Sequence, residues 1–301
     1  QTKEQAMTLH EAVEAFLQDL KVEGRSPHTV AAYRRDLAAF TTFASNITLE
    51  AVTPALLTDF MAAPCVQVGP CGVPRAKATI NRYRVSLKAL FAWGAARWLV
   101  PRNPTAILKC RRHRSLPPDV LSEQEIHLLL NFSFKGKEAA RDRALLAFML
   151  ATGCRLSETV ALDCRDLDWD TGRITLRNPK GGEPETMTAP AAVLALLRPL
   201  SQTVPPENPL FRTGAGRRLC CRQVQRIVAG RCQEAGITKI MTPHVLRHTF
   251  ATRLYNATGD LRLVQQALRH EFITTTQMYA QVDPKRLEMA VRMANLPAKT
   301  P

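Results

Sequence analysis

The chain has 301 residues, with 41 Lys and Arg against 26 Asp and Glu, a formal net charge of +15. At 46% apolar, with 11 Phe, 4 Tyr and 3 Trp, it can build a hydrophobic interior, which excludes a disordered polycation. The length suits two domains of roughly 100–200 residues better than one core, and the excess of base asks for an acidic partner.

No run reaches the roughly 18–20 apolar residues of a membrane span, and acids interrupt the N-terminal stretch where a signal peptide would be apolar. No membrane partner and a cytoplasmic location are therefore expected. The eight Cys include no C-x-x-C pair, so reduced structural thiols are expected rather than a disulfide scaffold or a zinc site.

In chain order, Thr8 and Glu11 form a capping box, after which Leu9, Val13, Phe16, Leu17 and Leu20 recur at helical spacing as far as Gly24. A second helix opens with Ser26 as cap and Pro27 in the first position, and Thr53-Pro54 opens a third in the same way. The fourth, expected over about 75–98, carries Ile80, Tyr83, Leu87, Leu90 and Phe91 on one face. On another stand Lys77, Asn81, Arg84 and Lys88, a polar and basic stripe that is either a solvated face or a track for phosphates. The Pro/Cys/Gly stretch 64–74 reads as a loop between the third and fourth helices.

A cationic segment with Lys109, Arg111, Arg112 and Arg114 runs into two prolines, and the linker is placed there, at 109–119. It separates an N-terminal helical domain, 1–108, from a second domain, 120–301. The second opens with a Ser122/Glu125 capping box stapled by Leu121 and Ile126, then helices over about 122–132 and 138–152. Strand-like runs at 173–176 and 185–189 flank Asn178-Pro179-Lys180-Gly181-Gly182, a hairpin with a lysine at its tip. Helices are expected over about 190–200, 221–235, 244–257, 261–269, 273–281 and 284–295. The fold class is mainly α, with one small β-hairpin.

Four signals in the second domain carry chemistry, and each alone has a plainer structural reading. Arg155 stands two residues beyond Gly153, a helix terminator that would project it from a junction. His244 and Arg247 are i, i+3 neighbours on a helix opened by Pro243. His244 and His248 have the i, i+4 spacing of a zinc pair, but no third ligand follows, so no metal is expected. His270 precedes Tyr279 by nine residues; the other tyrosines either fit core patterns or, for Tyr255, stand roughly 16 Å along the helix from His244. Lys180 completes the set. Taken together they suit attack on a phosphodiester: guanidiniums for the non-bridging oxygens, imidazoles for protons, an acid for the leaving oxygen and a phenol nucleophile.

The same residues carry a resemblance. ATGCRLSE, PHVLRHTFAT and LRHEFITTTQMY resemble, in order, the boxes of the tyrosine recombinases, the phage-integrase family, and SPHTVAAYRRDLAAF resembles the opening of their N-terminal helical domain. The layout looks most like the Xer-type members. Arg269 departs from the pattern, since a glycine is usual before the second histidine.

The resemblance implies an N-terminal four-helix, SAM-like core-binding domain and a mostly helical catalytic domain. It implies that Tyr279 attacks the scissile phosphate to give a 3′-phosphotyrosine, with Arg155 and Arg247 on the non-bridging oxygens and Lys180 protonating the 5′-oxygen. His244 would orient or deprotonate Tyr279, and His270 would hydrogen-bond the phosphate. No cofactor, metal or ATP is implied. The partners would be double-stranded DNA with inverted half-sites and three further protomers in a homo- or hetero-tetramer, with the last helix either docked into a neighbouring subunit or packed on its own domain. A type IB topoisomerase-like nicking and religating enzyme, or a catalytically silent DNA-binding accessory protein, are the alternative readings.

Overall fold

The computed structural model describes residues 7–69, 71–110, 119–177, 184–202 and 204–269. The chain divides into two compact units, 1–114 and 115–301.

The first unit is built from α1 (Leu9–Val22), α2 (Pro27–Ala44), α3 (Pro54–Ala62), the single turn α4 (Pro64–Gln67) and α5 (Lys77–Ala96), followed by a 3-10 turn at Pro104–Ile107. Each start has its cause in the sequence. Thr8 accepts from the Glu11 amide at 3.2 Å while the Glu11 carboxylate takes the Thr8 amide at 2.9 Å, which satisfies two amides that the first turn leaves without partners. Ser26 and Thr53 cap α2 and α3, each with proline in the first turn. The expected loop at 64–74 contains α4 and an antiparallel bridge between Val68 and Pro74, so part of it is ordered by its own backbone. The fourth expected helix, α5, is shorter than its pattern, because Trp98 adopts φ 59 beyond the C-cap and points its ring into solvent.

The core of this unit is the apolar set that the helical spacing selects, including Phe16, Leu37, Phe40, Phe60, Leu87, Leu90 and Phe91. Phe60 stacks edge-on against Phe40 and Tyr83, with ring centroids 5.0 and 6.0 Å apart. Into this core the chain sinks one carboxylate. Asp36 of α2 is 1% exposed and is held by Arg82 of α5 through a two-pronged pair at 2.8 Å and by the Ser86 hydroxyl at 3.0 Å. A buried carboxylate is tolerated only with such partners, and here they register α2 against α5.

The second unit comprises α6 (Glu123–Asn131), α7 (Ala139–Thr152), α8 (Leu156–Ala161), a 3-10 turn at Cys164–Asp166, strands β1 (Arg173–Leu176) and β2 (Glu185–Thr188), then α9 (Ala191–Ser201), α10 (Cys221–Glu234), α11 (Pro243–Thr258) and α12 (Leu261–Leu268). Helix α7 is apolar almost all round and forms the axis, packing against α9 and α11. The strands pair antiparallel, Arg173 opposite Thr188 and Leu176 opposite Glu185, with Ile174 and Leu176 turned into the core. The residues joining them, 178–183, lie outside the described set. So do the expected helices over 273–281 and 284–295. Among the described cysteines, Cys154, Cys164 and Cys232 are buried and none is bonded to another. No helix of the described residues is long and apolar enough to cross a membrane.

Candidate functional site

The site is organised by a glycine. Gly153 closes α7 in the left-handed conformation, φ 60 and ψ 20, which an L side chain adopts only at a cost. A Cβ built there would lie 2.3 Å from Cδ1 of Phe250 on α11, so the α7–α8 turn can approach α11 only because no side chain intervenes. The chain leaves this turn with Arg155 as the N-cap of α8. Glu158, three residues on, takes the Arg155 amide on Oε2 at 2.9 Å and the Arg155 guanidinium on Oε1 at 2.6 Å. One acid thus caps the helix and holds the arginine side chain beside it.

Arg247 comes to the same turn from α11. Its helix is capped by Thr242 with Pro243 at the first position, and Leu246 and Ala251 are among the residues it buries. The helical pattern places Arg247 on the face of His244; in the fold His244 is exposed, whereas Arg247 is only 6% exposed. Its guanidinium donates to the carbonyls of Gly153 and Leu268, both at 2.5 Å. A second NH of Arg155 donates to the carbonyl of Arg269, also at 2.5 Å. Both arginines are therefore fastened between the 153–155 turn and the 268–269 backbone, and that shared fastening brings them together. The carbonyls orient both guanidiniums without adding negative charge, and Glu158 is the carboxylate that meets Arg155 among the described residues.

Glu158 is the main acid of the site. Its burial favours the neutral form, but the Arg269 guanidinium and then the Arg155 amide and guanidinium outweigh that and hold its pKa at about 2. It is a carboxylate throughout the neutral range. Cys154, beside it, is pushed up to about 12 by burial and then by the Glu158 charge, which keeps this thiol protonated. His248 is lowered by burial and by the charges of His244 and Arg247. The two imidazoles, with ring centroids 6.5 Å apart, belong to no cluster of three or more potential metal ligands among the described residues.

Of the six residues expected to carry chemistry, Arg155, Arg247 and His244 lie in described parts of the chain, and the first two converge. Lys180, His270 and Tyr279 lie outside the described residues. Of the expected DNA-binding residues, Lys77 and Lys109 are exposed, and Asn81, Arg84 and Lys88 are half-buried. Arg111, Arg112 and Arg114 lie outside the described set. Sequence reasoning overlooked two members of the site. Glu158 could have been found from its position three residues after Arg155, the spacing of a capping acid. Arg269 stood out only as a departure from pattern; the fold shows it at φ 53 and ψ 48, the left-handed conformation that explains why glycine suits this position, with its side chain turned inward onto Glu158 at 2.6 Å.

Comparison with known proteins agrees along the whole chain. Residues 119–286 match the Phage integrase family, and residues 13–97 match the Phage integrase, N-terminal SAM-like domain. Tyrosine recombinase XerC of Serratia marcescens is 32% identical, over 98% of this chain and 97% of that protein. Among solved structures, the Tn1549 transposon integrase in complex with a circular intermediate DNA superposes with a TM-score of 0.76 at 18% identity, covering 94% of this chain and 99% of that one. The XerH site-specific recombinase bound to difH substrate gives 0.68 at 24% identity, covering 97% and 86%. Those two likenesses concern the fold, while the sequence match over both units concerns descent, and by it the chain belongs to the phage integrase family of tyrosine recombinases.

Proposed function

We propose that this recombinase cuts and rejoins DNA through a covalent bond to Tyr279, with Arg155 and Arg247 receiving the scissile phosphate. The observation that carries the reading is the common fastening of the two guanidiniums to the carbonyls of Gly153, Leu268 and Arg269. An in-line displacement at phosphorus builds negative charge on the non-bridging oxygens, and two arginines held before the substrate arrives stabilise it without reorganising.

The Tyr279 oxygen attacks phosphorus while the bond to the 5′-oxygen breaks, leaving the 3′-phosphate on tyrosine. Lys180 gives its proton to the departing 5′-oxygen, His244 takes or orients the tyrosine proton, and His270 donates a hydrogen bond to the phosphate. The 5′-hydroxyl of a second strand then attacks the phosphotyrosine and frees Tyr279. One phosphodiester is lost and one is made, so the exchange calls for neither ATP nor a cofactor.

Four protomers on two DNA sites with inverted half-sites fit this exchange, and the terminal helix over about 284–295 is the proposed docking element between them. Lys77, Asn81, Arg84, Lys88, Lys109, Arg111, Arg112 and Arg114 are proposed to follow the DNA backbone. The structures of relatives bound to DNA support a DNA partner for this chain as well.

The test is a suicide duplex nicked near the scissile phosphate, incubated with a chelator. The expected result is a covalent protein–DNA adduct with wild type and none with Tyr279→Phe. Equal adduct from both would remove Tyr279 as nucleophile. A 5′-bridging phosphorothiolate, whose leaving group needs no proton, should restore Lys180→Ala; failure to do so would remove the general-acid role.

A further inference from the structure

Arg269 is the one described residue near the site that breaks two local rules together. It holds a left-handed backbone without being glycine, and it turns a guanidinium inward where its side chain is only 8% exposed. Its Nη2 donates to Oε2 of Glu158 at 2.6 Å, and its Nε lies 3.2 Å from Oε2 of Glu185 on β2. Its Nη1 reaches the Ala267 carbonyl at 3.3 Å and the Met187 sulfur at 3.9 Å. A strained backbone and a desolvated cation persist only where the surroundings fix them, and such positions gather at working sites.

Residue 269 touches Arg155 by two routes. Its carbonyl accepts from Arg155 directly, and its side chain holds Oε2 of the carboxylate whose Oε1 holds Arg155. Glu158 is thereby shared by two guanidiniums rather than claimed by one. Were Arg269 absent, Arg155 would be the guanidinium left hydrogen-bonded to Glu158 among the described residues, and Glu158 would draw that arginine away from an incoming phosphate. Glu185 also faces Arg269, but half of its side chain is in solvent, so water weakens its claim.

From this geometry we infer that Arg269 is a positioning residue for Arg155, fixing Glu158 so that the Arg155 guanidinium is held ready for the scissile phosphate. The inference rests on the proposed role of Arg155 and assigns Arg269 no contact with DNA. The low pKa of Glu158 agrees with it, since after burial the Arg269 charge is the leading influence on that carboxyl and the one that lowers it most.

The experiment is a double-mutant cycle on the full chain. Single-turnover adduct formation on the nicked duplex is measured for wild type, Arg269→Met, Arg155→Lys and the double variant, with duplex affinity and thermal unfolding measured alongside. Arg269→Met should slow adduct formation about tenfold with duplex affinity unchanged, and in the Arg155→Lys background it should cost less than about twofold, because the residue it serves is already altered. Arg269→Gly, which removes the guanidinium and relieves the left-handed backbone, should slow the reaction similarly while unfolding no earlier than Arg269→Met. Equal losses from Arg269→Met in both backgrounds, or a wild-type rate in Arg269→Met, would overturn the inference. A wild-type rate in Arg155→Lys would instead remove the assignment of Arg155 itself, and this inference with it.

Discussion

Replacing Gly153 by alanine tests the architecture of the site most directly. Two costs are legible in the structure. The backbone at φ 60 strains any L residue by roughly 1–2 kcal/mol. The new methyl would also lie 2.3 Å from Cδ1 of Phe250 and within 3.0 Å of two further ring atoms, an overlap relieved only by moving the ring or the turn, at about 1–3 kcal/mol. Together they predict a loss of about 2–5 kcal/mol, read as a lowered urea midpoint at unchanged slope. The site should suffer beyond stability, because the Gly153 carbonyl anchors Arg247 and the turn aims Arg155, so adduct formation should slow at temperatures where the variant is still folded. Phe250→Ala in the Gly153→Ala background removes the clashing Cγ, Cδ1 and Cε1 atoms but leaves the backbone strain, and relative to Phe250→Ala alone the double variant should recover about half of the lost stability. If Gly153→Ala costs less than about 1 kcal/mol, or if the double variant recovers nothing, the argument that a missing side chain brings α7 and α11 together is wrong.

Further outcomes are expected elsewhere in the chain. Asp36→Ala leaves Arg82 and Ser86 without their acceptor and should cost about 2–4 kcal/mol in urea unfolding, the low end reflecting the partial exposure of Arg82. Glu158, lowered from 4.5 to about 2 in the fold, contributes stability that is fully present above pH 4.5 and lost as the pH falls toward 2. That loss is on the order of 3 kcal/mol, and Glu158→Gln should flatten the stability profile in this window; an unchanged acid profile would refute the assigned pairing. Cys154 and Cys232, whose burial pushes both to about 12, should resist maleimide at neutral pH until the chain is unfolded, while exposed Cys65, Cys71, Cys110, Cys220 and Cys221 react at once, as mass spectrometry would read. Duplex affinity should fall steeply with salt, since several phosphates would be neutralised; a shallow slope would count against the proposed basic track.

Local chemistry determined a large part of this protein. The helix starts at Thr8, Ser26, Thr53 and Ser122 follow from capping residues at fixed offsets, and the core of the first unit is the apolar face that the 3.6-residue period selects. Each of these depends on neighbours within four residues, which a sequence displays directly. The proposed reactive set was legible for another reason: chemistry at phosphorus draws on a short list of residue types, and residues of those types stand here in the order and spacing that resemble a known family.

What tertiary structure decided is how distant segments meet. An arginine in a helical pattern reads as exposed, and only the docking of α11 against the 153–155 turn and the end of α12 shows Arg247 buried on two carbonyls, 94 and 21 residues away. The stop of α5 short of Trp98 and the inward turn of Arg269 are set by backbone conformations that side-chain periodicity does not encode. The +15 net charge has the same lesson in it. Composition could say that the chain wants an acidic partner, but charge is a sum over the sequence, whereas the surroundings of Arg155 depend on which carboxylate reaches it and which second arginine, 111 residues from Glu158, shares that carboxylate.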